Sequence, residues 1–195
     1  KGAVFCNFLL ADEINRSSPK SQSALLETME ERQVSIDAVT YQLPKPFMVL
    51  ATQNSVETYG TYHLPEAQMD RFMFKLIVNF PSENELVSIV KMTQITMAET
   101  AEAVLTGEEI LQMRDLASSV PVTDDLILYA VNLVSNTHPE RGASPDSAKK
   151  YVKYGASPRA AQGLITAAKV RALMQGRYNV SYEDIDTLAF PVLRH

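Results

Sequence analysis

The stretch FLLADEIN, from Phe8 to Asn15, decides the fold because an apolar run leads directly into two adjacent carboxylates. A continuous apolar run predicts a β-strand that is buried on both faces of a parallel sheet. Asp12 and Glu13 would then lie at the C-terminal edge of that sheet, where open α/β sheets bind their ligands. Two adjacent negative charges need compensation, which a metal ion with phosphates would supply. The alternative is an ordinary strand end followed by a solvated acidic turn.

Composition narrows the class of protein. The 195 residues suffice for one large or two small domains, and the net charge of -5 argues against a nucleic-acid groove. The single cysteine, Cys6, excludes an intrachain disulfide framework and fits a reducing compartment. No apolar run approaches the length of a membrane span. We therefore expect a cytoplasmic protein with no membrane segment and no nucleic-acid partner.

A helix is predicted directly after the acid pair. Ser18 supplies an N-cap hydroxyl and Pro19 occupies the first helical position, so the helix would begin there and continue to about Arg32. Its inner side is predicted from the helical period. The predicted inner residues are Ala24, Leu25, Thr28 and Met29.

The string LADEINR at residues 10–16, followed by ALLETMEERQV at residues 24–34, resembles the Walker B region of AAA+ ATPases, and of the MoxR family in particular. The resemblance implies an α/β P-loop NTPase core followed by an all-α lid. It also implies that Asp12 holds Mg²⁺, through water, and that Glu13 polarises the water that attacks ATP.

Residues 34–41 alternate apolar and polar side chains around Asp37 and Ala38, which predicts a β-hairpin. A two-residue hairpin turn needs positive φ angles, which are costly for alanine. We therefore expect either a longer turn or a strained one. The resemblance implies the pre-sensor-1 hairpin, which in ring ATPases points toward the pore or a client.

Residues 47–52 predict a second buried strand, followed by Gln53 and Asn54. An amide beside the acid pair can hydrogen-bond a γ-phosphate or orient an attacking water. The sequence ATQN at residues 51–54 resembles sensor 1, which implies that role for Asn54. The alternative is that Asn54 is a turn residue.

Residues 65–72 predict a short helix, and residues 72–80 predict a third strand that ends at Pro81. Asp70-Arg71-Phe72 resembles the family's arginine-finger segment, which implies that Arg71 reaches the nucleotide of a neighbouring subunit. The alternative is a surface ion pair between Asp70 and Arg71. We place the domain boundary after residue 81, with the AAA+ core in residues 1–81 and the lid in residues 82–195.

The pattern from residue 82 onward is helical and predicts a bundle of about five helices. Arg159 lies in the first turn of one helix, where a cation is unfavourable near the positive end of the helix dipole. The sequence GASPRA at residues 155–160 resembles sensor 2, which implies that Arg159 reads the γ-phosphate in cis from the lid. The alternative is an ion pair with an acid across the lid. The predicted helix starts are Glu83 (continuing to about Met97), Thr106, Thr123, Ser157 and Ser181, and a long polar loop is predicted from His138 to Ser157.

The P-loop pattern Gly-x-x-x-x-Gly-Lys-Ser/Thr does not occur in these residues. We expect it upstream of Lys1 in a longer protein, so that this stretch alone would neither bind nor hydrolyse ATP appreciably. The resemblance implies a Mg-ATP-hydrolysing, chaperone-like motor that matures or activates protein complexes. It further implies a homo-oligomeric ring, often hexameric, and often a partner with a von Willebrand A domain. The alternatives are a non-hydrolysing nucleotide-sensing or scaffolding domain and a magnesium-chelatase-like motor subunit.

Overall fold

A computed structural model of the chain describes residues 2–54, 60–94 and 101–195. Its four strands are β1 (Phe8–Ala11), β2 (Gln33–Ile36), β3 (Val39–Gln42) and β4 (Met48–Ala51). Its helices are α1 (Pro19–Glu31), α2 (Glu66–Met69), α3 (Glu83–Gln94), α4 (Gly107–Ser118), α5 (Asp124–Ser135), α6 (Asp146–Tyr151), α7 (Pro158–Met174) and α8 (Tyr182–Leu193). The predicted end of α3 near Met97 lies outside the described residues. Within the described part, every helix is too short or too polar to cross a bilayer.

The described residues group into two compact units. One unit contains Lys1–Lys75 together with Gly107–His195, and the other contains Leu76–Thr106. In the smaller unit, α3 begins with a capping box, because the backbone N–H and the hydroxyl of Ser82 both donate to the Glu85 carboxylate. These two hydrogen bonds lower the pKa of Glu85. The domain boundary after residue 81 stays a prediction.

Strands β1 and β4 form a parallel pair, with Ala11 opposite Ala51. Both strands were predicted, but the prediction that they are buried on both faces is wrong. Alternate side chains are between 51% and 63% exposed. A parallel sheet is buried only where other layers cover it, and within the described residues this sheet has two strands. The exposed side chains are Phe8, Leu10, Met48 and Leu50.

Helix α1 covers the predicted range, and three of its four predicted inner residues are confirmed, because Thr28 is buried and Leu25 and Met29 pack against the Leu26 cluster. Ala24 is exposed, whereas Gln22 and Leu26 are buried. Leu26 clusters with Ile14 and Leu64, and this contact orients the helix. Residues four apart lie on one helical face, so Gln22 is buried with Leu26.

Strands β2 and β3 form the predicted antiparallel hairpin, with Ile36 opposite Val39. The turn contains two residues, Asp37 and Ala38, with φ angles of 50° and 64°. Of the two expected turns, the structure therefore contains the strained one and not the longer one. A left-handed alanine costs about 1 kcal/mol, which the paired strands must offset.

The predicted third strand over residues 72–80 is wrong, because this segment forms no strand. The backbone N–H of Lys75 donates to the carbonyl oxygen of Pro191, at 2.8 Å. A strand requires a row of backbone partners from one neighbouring strand, and here a helix supplies the partner instead. The apolar sequence of residues 72–80 gave no sign that the backbone of Lys75 would bond to a helix.

The predicted loop from His138 to Ser157 is also partly wrong, since it contains the short helix α6. Pro145 precedes this helix, and Asp146 places a negative charge in its first turn. Both features favour a helix start. The helix has only six residues, which is too short for a clear apolar period.

Helices α5, α7 and α8 pack around one apolar core, and α4 contacts α7 beside it. The predicted helix at Glu83, α3, has no buried residue and belongs to the smaller unit. Helix α7 begins after the Ser157 cap and ends before Gly176, whose φ is 70°. Its small residues allow α8 to approach closely. The buried core consists of Val120, Leu126, Ala130, Val134, Ala160, Leu164, Ala168, Val180, Ile185 and Val192.

Asp184 is the fully buried carboxylate of this bundle, at 0% exposure. The Arg177 guanidinium donates two hydrogen bonds to it, at 2.6 and 2.9 Å. The backbone N–H and the hydroxyl of Ser181 also donate to it, each at 2.9 Å, and complete a capping box. Burial by itself would raise the pKa of Asp184, but the hydrogen bonds from Arg177 and Ser181 outweigh it and hold the pKa below its usual value.

Replacing Asp184 by Asn should lower the free energy of unfolding by about 2 kcal/mol at pH 7, because an amide cannot satisfy the Arg177 fork. Chemical denaturation of wild type and variant measures this difference. Asp125, exposed in the first turn of α5, provides the control, since Asp125→Asn should change stability by less than about 0.5 kcal/mol.

The difference in stability between the wild type and Asp184→Asn should depend on pH. The pKa of Asp184 is lower in the folded state than in the unfolded state, where it is about 3.9. The contribution of Asp184 to the free energy of unfolding is therefore fully present above the unfolded-state pKa, and it is lost as the pH falls through the folded-state pKa. The difference in unfolding free energy between wild type and Asp184→Asn should therefore shrink below about pH 4. A difference that is independent of pH would contradict this prediction.

Candidate functional site

The acid pair lies where β1 ends, next to the end of β4. The Thr52 hydroxyl donates to Oδ1 of Asp12 at 2.5 Å and accepts from the backbone N–H of Glu13 at 2.8 Å. The backbone of Thr52 also bonds to Ala11 and Ile14, at 3.0 Å in each case. One threonine therefore joins the two strand ends and fixes both acids at the edge of the parallel pair.

Glu13 has an unusual backbone conformation, with φ 48° and ψ 51°. This left-handed conformation is costly for a residue with a side chain, and such strain is concentrated at functional sites. The Glu13 carboxylate lies 3.3 Å from Nη1 of Arg16 in the following 3₁₀ turn, Ile14–Arg16. Asp12 is exposed and Glu13 is half-buried, so both carboxylates are accessible to a ligand.

Asn54 follows β4 by three residues, on the same edge as the acid pair. The buried Asn15 side chain donates through Nδ2 to the backbone carbonyl of Asn54, at 3.2 Å. This hydrogen bond holds the segment after β4 against the turn that follows Glu13. The structure therefore holds the Asn54 backbone against the turn that follows the acid pair.

Gln22 supports this turn, and the sequence did not predict its contribution. The side chain is 3% exposed, and its Nε2 donates to the carbonyl oxygens of Ile14, Ser17 and Tyr62, at 3.1, 3.3 and 3.1 Å. One buried amide thus ties α1 to the acid-bearing turn and to the chain before α2. The available signal was a polar residue on the apolar face, one turn before Leu26.

The donor set at this edge suits Mg²⁺. Magnesium takes oxygen ligands and usually keeps several waters, binding through one or two carboxylates plus substrate phosphates. An exposed Asp12 carboxylate beside the Thr52 hydroxyl fits that requirement. Within residues 2–54, 60–94 and 101–195, no group of three His, Cys, Asp or Glu side chains could hold a metal by itself. Water and phosphate oxygens would have to complete the coordination.

Arg71 follows α2 and contacts α1 of the same chain. Its Nη1 forms an ion pair with Oε2 of Glu30 and lies 3.4 Å from the carbonyl oxygen of Leu26. The predicted alternative partner, Asp70, instead accepts a hydrogen bond from the Ser157 hydroxyl, at 2.6 Å. The 64–72 segment is therefore bonded both to α1 and to the start of α7.

Arg159 lies in the first turn of α7 and contacts the same acid. Its backbone N–H donates to the Ser157 hydroxyl oxygen at 3.1 Å, and its Nη2 pairs with Oε1 of Glu30. Glu30 belongs to α1, whereas the alternative for Arg159 had placed the paired acid in the lid. Glu30 follows Gln22 by eight residues, or about 12 Å along the helix axis. The two arginines thus form a second cluster, away from the acid-bearing turn.

The loop before α7 is packed closely against His138. A Cβ atom on Gly155 would lie only 2.2–2.5 Å from the His138 ring, so the glycine is required by this approach. Nε2 of His138 lies 3.0 Å from the Ala156 carbonyl oxygen, and the Ala156 N–H donates to the Thr137 hydroxyl at 2.8 Å. These contacts fix the backbone from which Arg159 projects.

The sequence missed the residues that connect the predicted ones. Thr52, Gln22 and Glu30 each contact several segments, and no role was assigned to any of them from the sequence, although Thr52 lies within the ATQN pattern and Glu30 within the string at residues 24–34. Glu30 lies in a run of three carboxylates with Glu27 and Glu31, so nothing in the sequence distinguished it. The roles assigned to Asp12, Glu13, Asn54, Arg71 and Arg159 stay predictions.

Two family models match this chain. Residues 1–74 match the model described as the ATPase family associated with various cellular activities (AAA). Residues 146–195 match the AAA lid domain. The two matches cover the acid-bearing edge and the end of the helical bundle.

Individual relatives agree with these matches. The chain is 44% identical to Chaperone MoxR1 of Mycobacterium tuberculosis, covering 100% of this chain and 51% of that protein. It is 29% identical to Protein MoxR of Paracoccus denitrificans, over 94% of this chain and 57% of that protein. A crystal structure of a proposed ATPase from Cytophaga hutchinsonii superposes with a TM-score of 0.91 at 40% identity. The match covers 99% of this chain and 59% of that one. The chain spans about half the length of the curated relatives that it matches.

Proposed function

Because the chain belongs to the MoxR-type AAA+ ATPases, we propose that the protein containing it hydrolyses Mg-ATP and acts as a chaperone-like motor. The AAA+ fold itself, a core followed by a lid, agrees with the family models and with the superposed structure. The name of the Mycobacterium tuberculosis relative, Chaperone MoxR1, supports the chaperone-like part of this proposal. We further propose that the action is the maturation or activation of protein complexes.

The hydrogen-bonded junction of Asp12, Glu13 and Thr52 carries the hydrolysis proposal. Asp12 would hold Mg²⁺ through water, and the bound ion would neutralise charge on the phosphates. Glu13, half-buried and with a left-handed backbone conformation, would accept the proton of the attacking water. Asn54 would orient that water from the neighbouring strand end. These 195 residues contain no P-loop pattern, so we propose that another part of the full-length protein supplies it.

The two arginines would act on the terminal phosphate. Arg71 would reach the nucleotide of a neighbouring subunit, and Arg159 would read the γ-phosphate from the lid. The resemblance implied a cis role for Arg159, but its shared contact with Glu30 leads us to propose that both arginines act on the nucleotide of the neighbouring subunit. This arrangement requires a homo-oligomeric ring, for which we propose a hexamer.

The remaining assignments are also proposals. We propose a core in residues 1–81 and a lid in residues 82–195. We further propose a cytoplasmic location and a partner protein with a von Willebrand A domain. The hairpin of β2 and β3 would face the pore or the client, which its exposed side chains support.

Removal of the metal tests the proposed reaction directly. Purified full-length protein should hydrolyse ATP with Mg²⁺ and lose at least about 100-fold of that rate with excess EDTA, because the phosphate charge is then uncompensated. Release of inorganic phosphate measures the rate, and added Mg²⁺ should restore it. The 195-residue chain alone should show no turnover under either condition. If the full-length protein is inactive with Mg²⁺, the non-hydrolysing scaffold is the better interpretation.

A further inference from the structure

We propose that Glu30 is a positioning residue that assembles Arg71 and Arg159 into one two-arginine unit. The inference rests on the proposed function, since it concerns how those arginines reach a terminal phosphate. Each oxygen of the Glu30 carboxylate pairs with a different arginine: Oε2 with Arg71 and Oε1 with Arg159. These partners are 41 and 129 residues away in the chain, so the contact is made by the tertiary fold.

The carboxylate makes the close approach of the arginines possible. Two guanidinium groups on the oxygens of one carboxylate carry like charges at short range, and they would separate without a negative charge between them. Each arginine has five N–H donors, so one bond to Glu30 leaves others for a phosphate. The side chains of Arg71 and Arg159 are still 30% and 49% exposed.

Glu30 is carried by a rigid element. It lies one turn after Leu26, which is 2% exposed and packs in the cluster with Ile14 and Leu64. A group on a packed helix holds its partners more precisely than a group on a loop. The position of Glu30 is therefore set by the apolar cluster against which α1 packs.

A second hydrogen bond keeps the two arginine-bearing segments in register. The Ser157 hydroxyl donates to Asp70, the residue before Arg71, at 2.6 Å. The same hydroxyl oxygen accepts from the backbone N–H of Arg159, at 3.1 Å. The segment that carries Arg71 and the start of α7 are thus joined by the side chains of Asp70 and Ser157, and Glu30 joins the two arginine side chains.

The test is Glu30→Gln in the full-length protein, with Glu27→Gln as the matched control. Glu27 is exposed on α1 one turn earlier, so its substitution removes the same charge from the same helix. We expect Glu30→Gln to lower kcat for ATP hydrolysis tenfold to 100-fold, since misplaced catalytic groups cost about that much. The KM for ATP should change less than about twofold, because an interaction made only in the transition state does not alter KM. Glu27→Gln should match the wild type.

Subunit mixing separates positioning from a general structural defect. Glu13→Gln subunits keep their arginine unit, so mixing them with Glu30→Gln subunits should restore turnover above the sum of the two parents. Mixing Glu30→Gln with Arg71→Ala should restore nothing, because both lack the same unit. If Glu30→Gln behaves like Glu27→Gln, or if Glu13→Gln subunits do not rescue it, the positioning role is overturned while the proposed function stands. If the wild type itself has no turnover, the proposed function fails, and the positioning role fails with it.

Discussion

Replacing Glu13 by Gln in the full-length protein should lower kcat for ATP hydrolysis by about 10²- to 10⁴-fold, the usual contribution of a general base. The amide has nearly the same shape as the carboxylate but cannot accept the proton of the attacking water. The backbone of Glu13 is held by the Thr52 hydroxyl, a contact that the substitution does not touch. The loss should therefore come from the missing base and not from a displaced strand end.

Binding and turnover must be measured separately for this variant. A fluorescent ATP analogue should bind the Glu13→Gln protein with an affinity close to that of the wild type, because Asp12 and the phosphate-binding elements are unchanged. Glu27→Gln serves again as the charge-matched control and should keep full activity. Turnover by Glu13→Gln within threefold of the wild type would remove Glu13 from the role of general base.

Replacing Arg71 by Ala should have an effect at least as large, lowering kcat by about 10³-fold or more, the range found for arginine fingers. The guanidinium would stabilise charge that develops on the phosphate as it is transferred, and alanine supplies none. The substitution also removes the ion pair with Glu30, but that pair is more than one-third exposed on the acid side and contributes little to stability. The expected thermal midpoint is thus close to that of the wild type.

The decisive measurement is again made with mixed subunits. Arg71→Ala subunits keep Glu13, and Glu13→Gln subunits keep Arg71. In randomly assembled rings of equal mixture, roughly one quarter of the interfaces would contain both intact groups and regain activity. Arg114, exposed on α4 and paired with Asp115, gives the control, since Arg114→Ala should leave turnover unchanged. The absence of any recovery on mixing would contradict action of Arg71 between subunits.

The sequence by itself determined the local elements and the position of the acid pair. The apolar run before Asp12 predicted β1, and the apolar run before Gln53 predicted β4, because a continuous apolar run is a signal that lies within the strand's own residues. The caps at Ser18, Ser157 and Ser181 likewise marked helix starts, since capping involves groups within one turn. The family resemblance carried by residues 10–16 was confirmed by the matches to the AAA models.

Only the tertiary structure decided which surfaces are buried and which distant groups meet. Residues 72–80 have a strand-like sequence, yet Lys75 pairs its N–H with Pro191 in α8. The outward faces of β1 and β4 are exposed because burial depends on which layers cover a sheet, and that information does not lie in the strand itself. Glu30 shows the same limit, since its importance comes from partners 41 and 129 residues away. Capping and strand patterns extend over a few neighbouring residues and can be recognised in the sequence. Ion pairs and packing join residues that are far apart in the chain, and nothing near either partner indicates the contact.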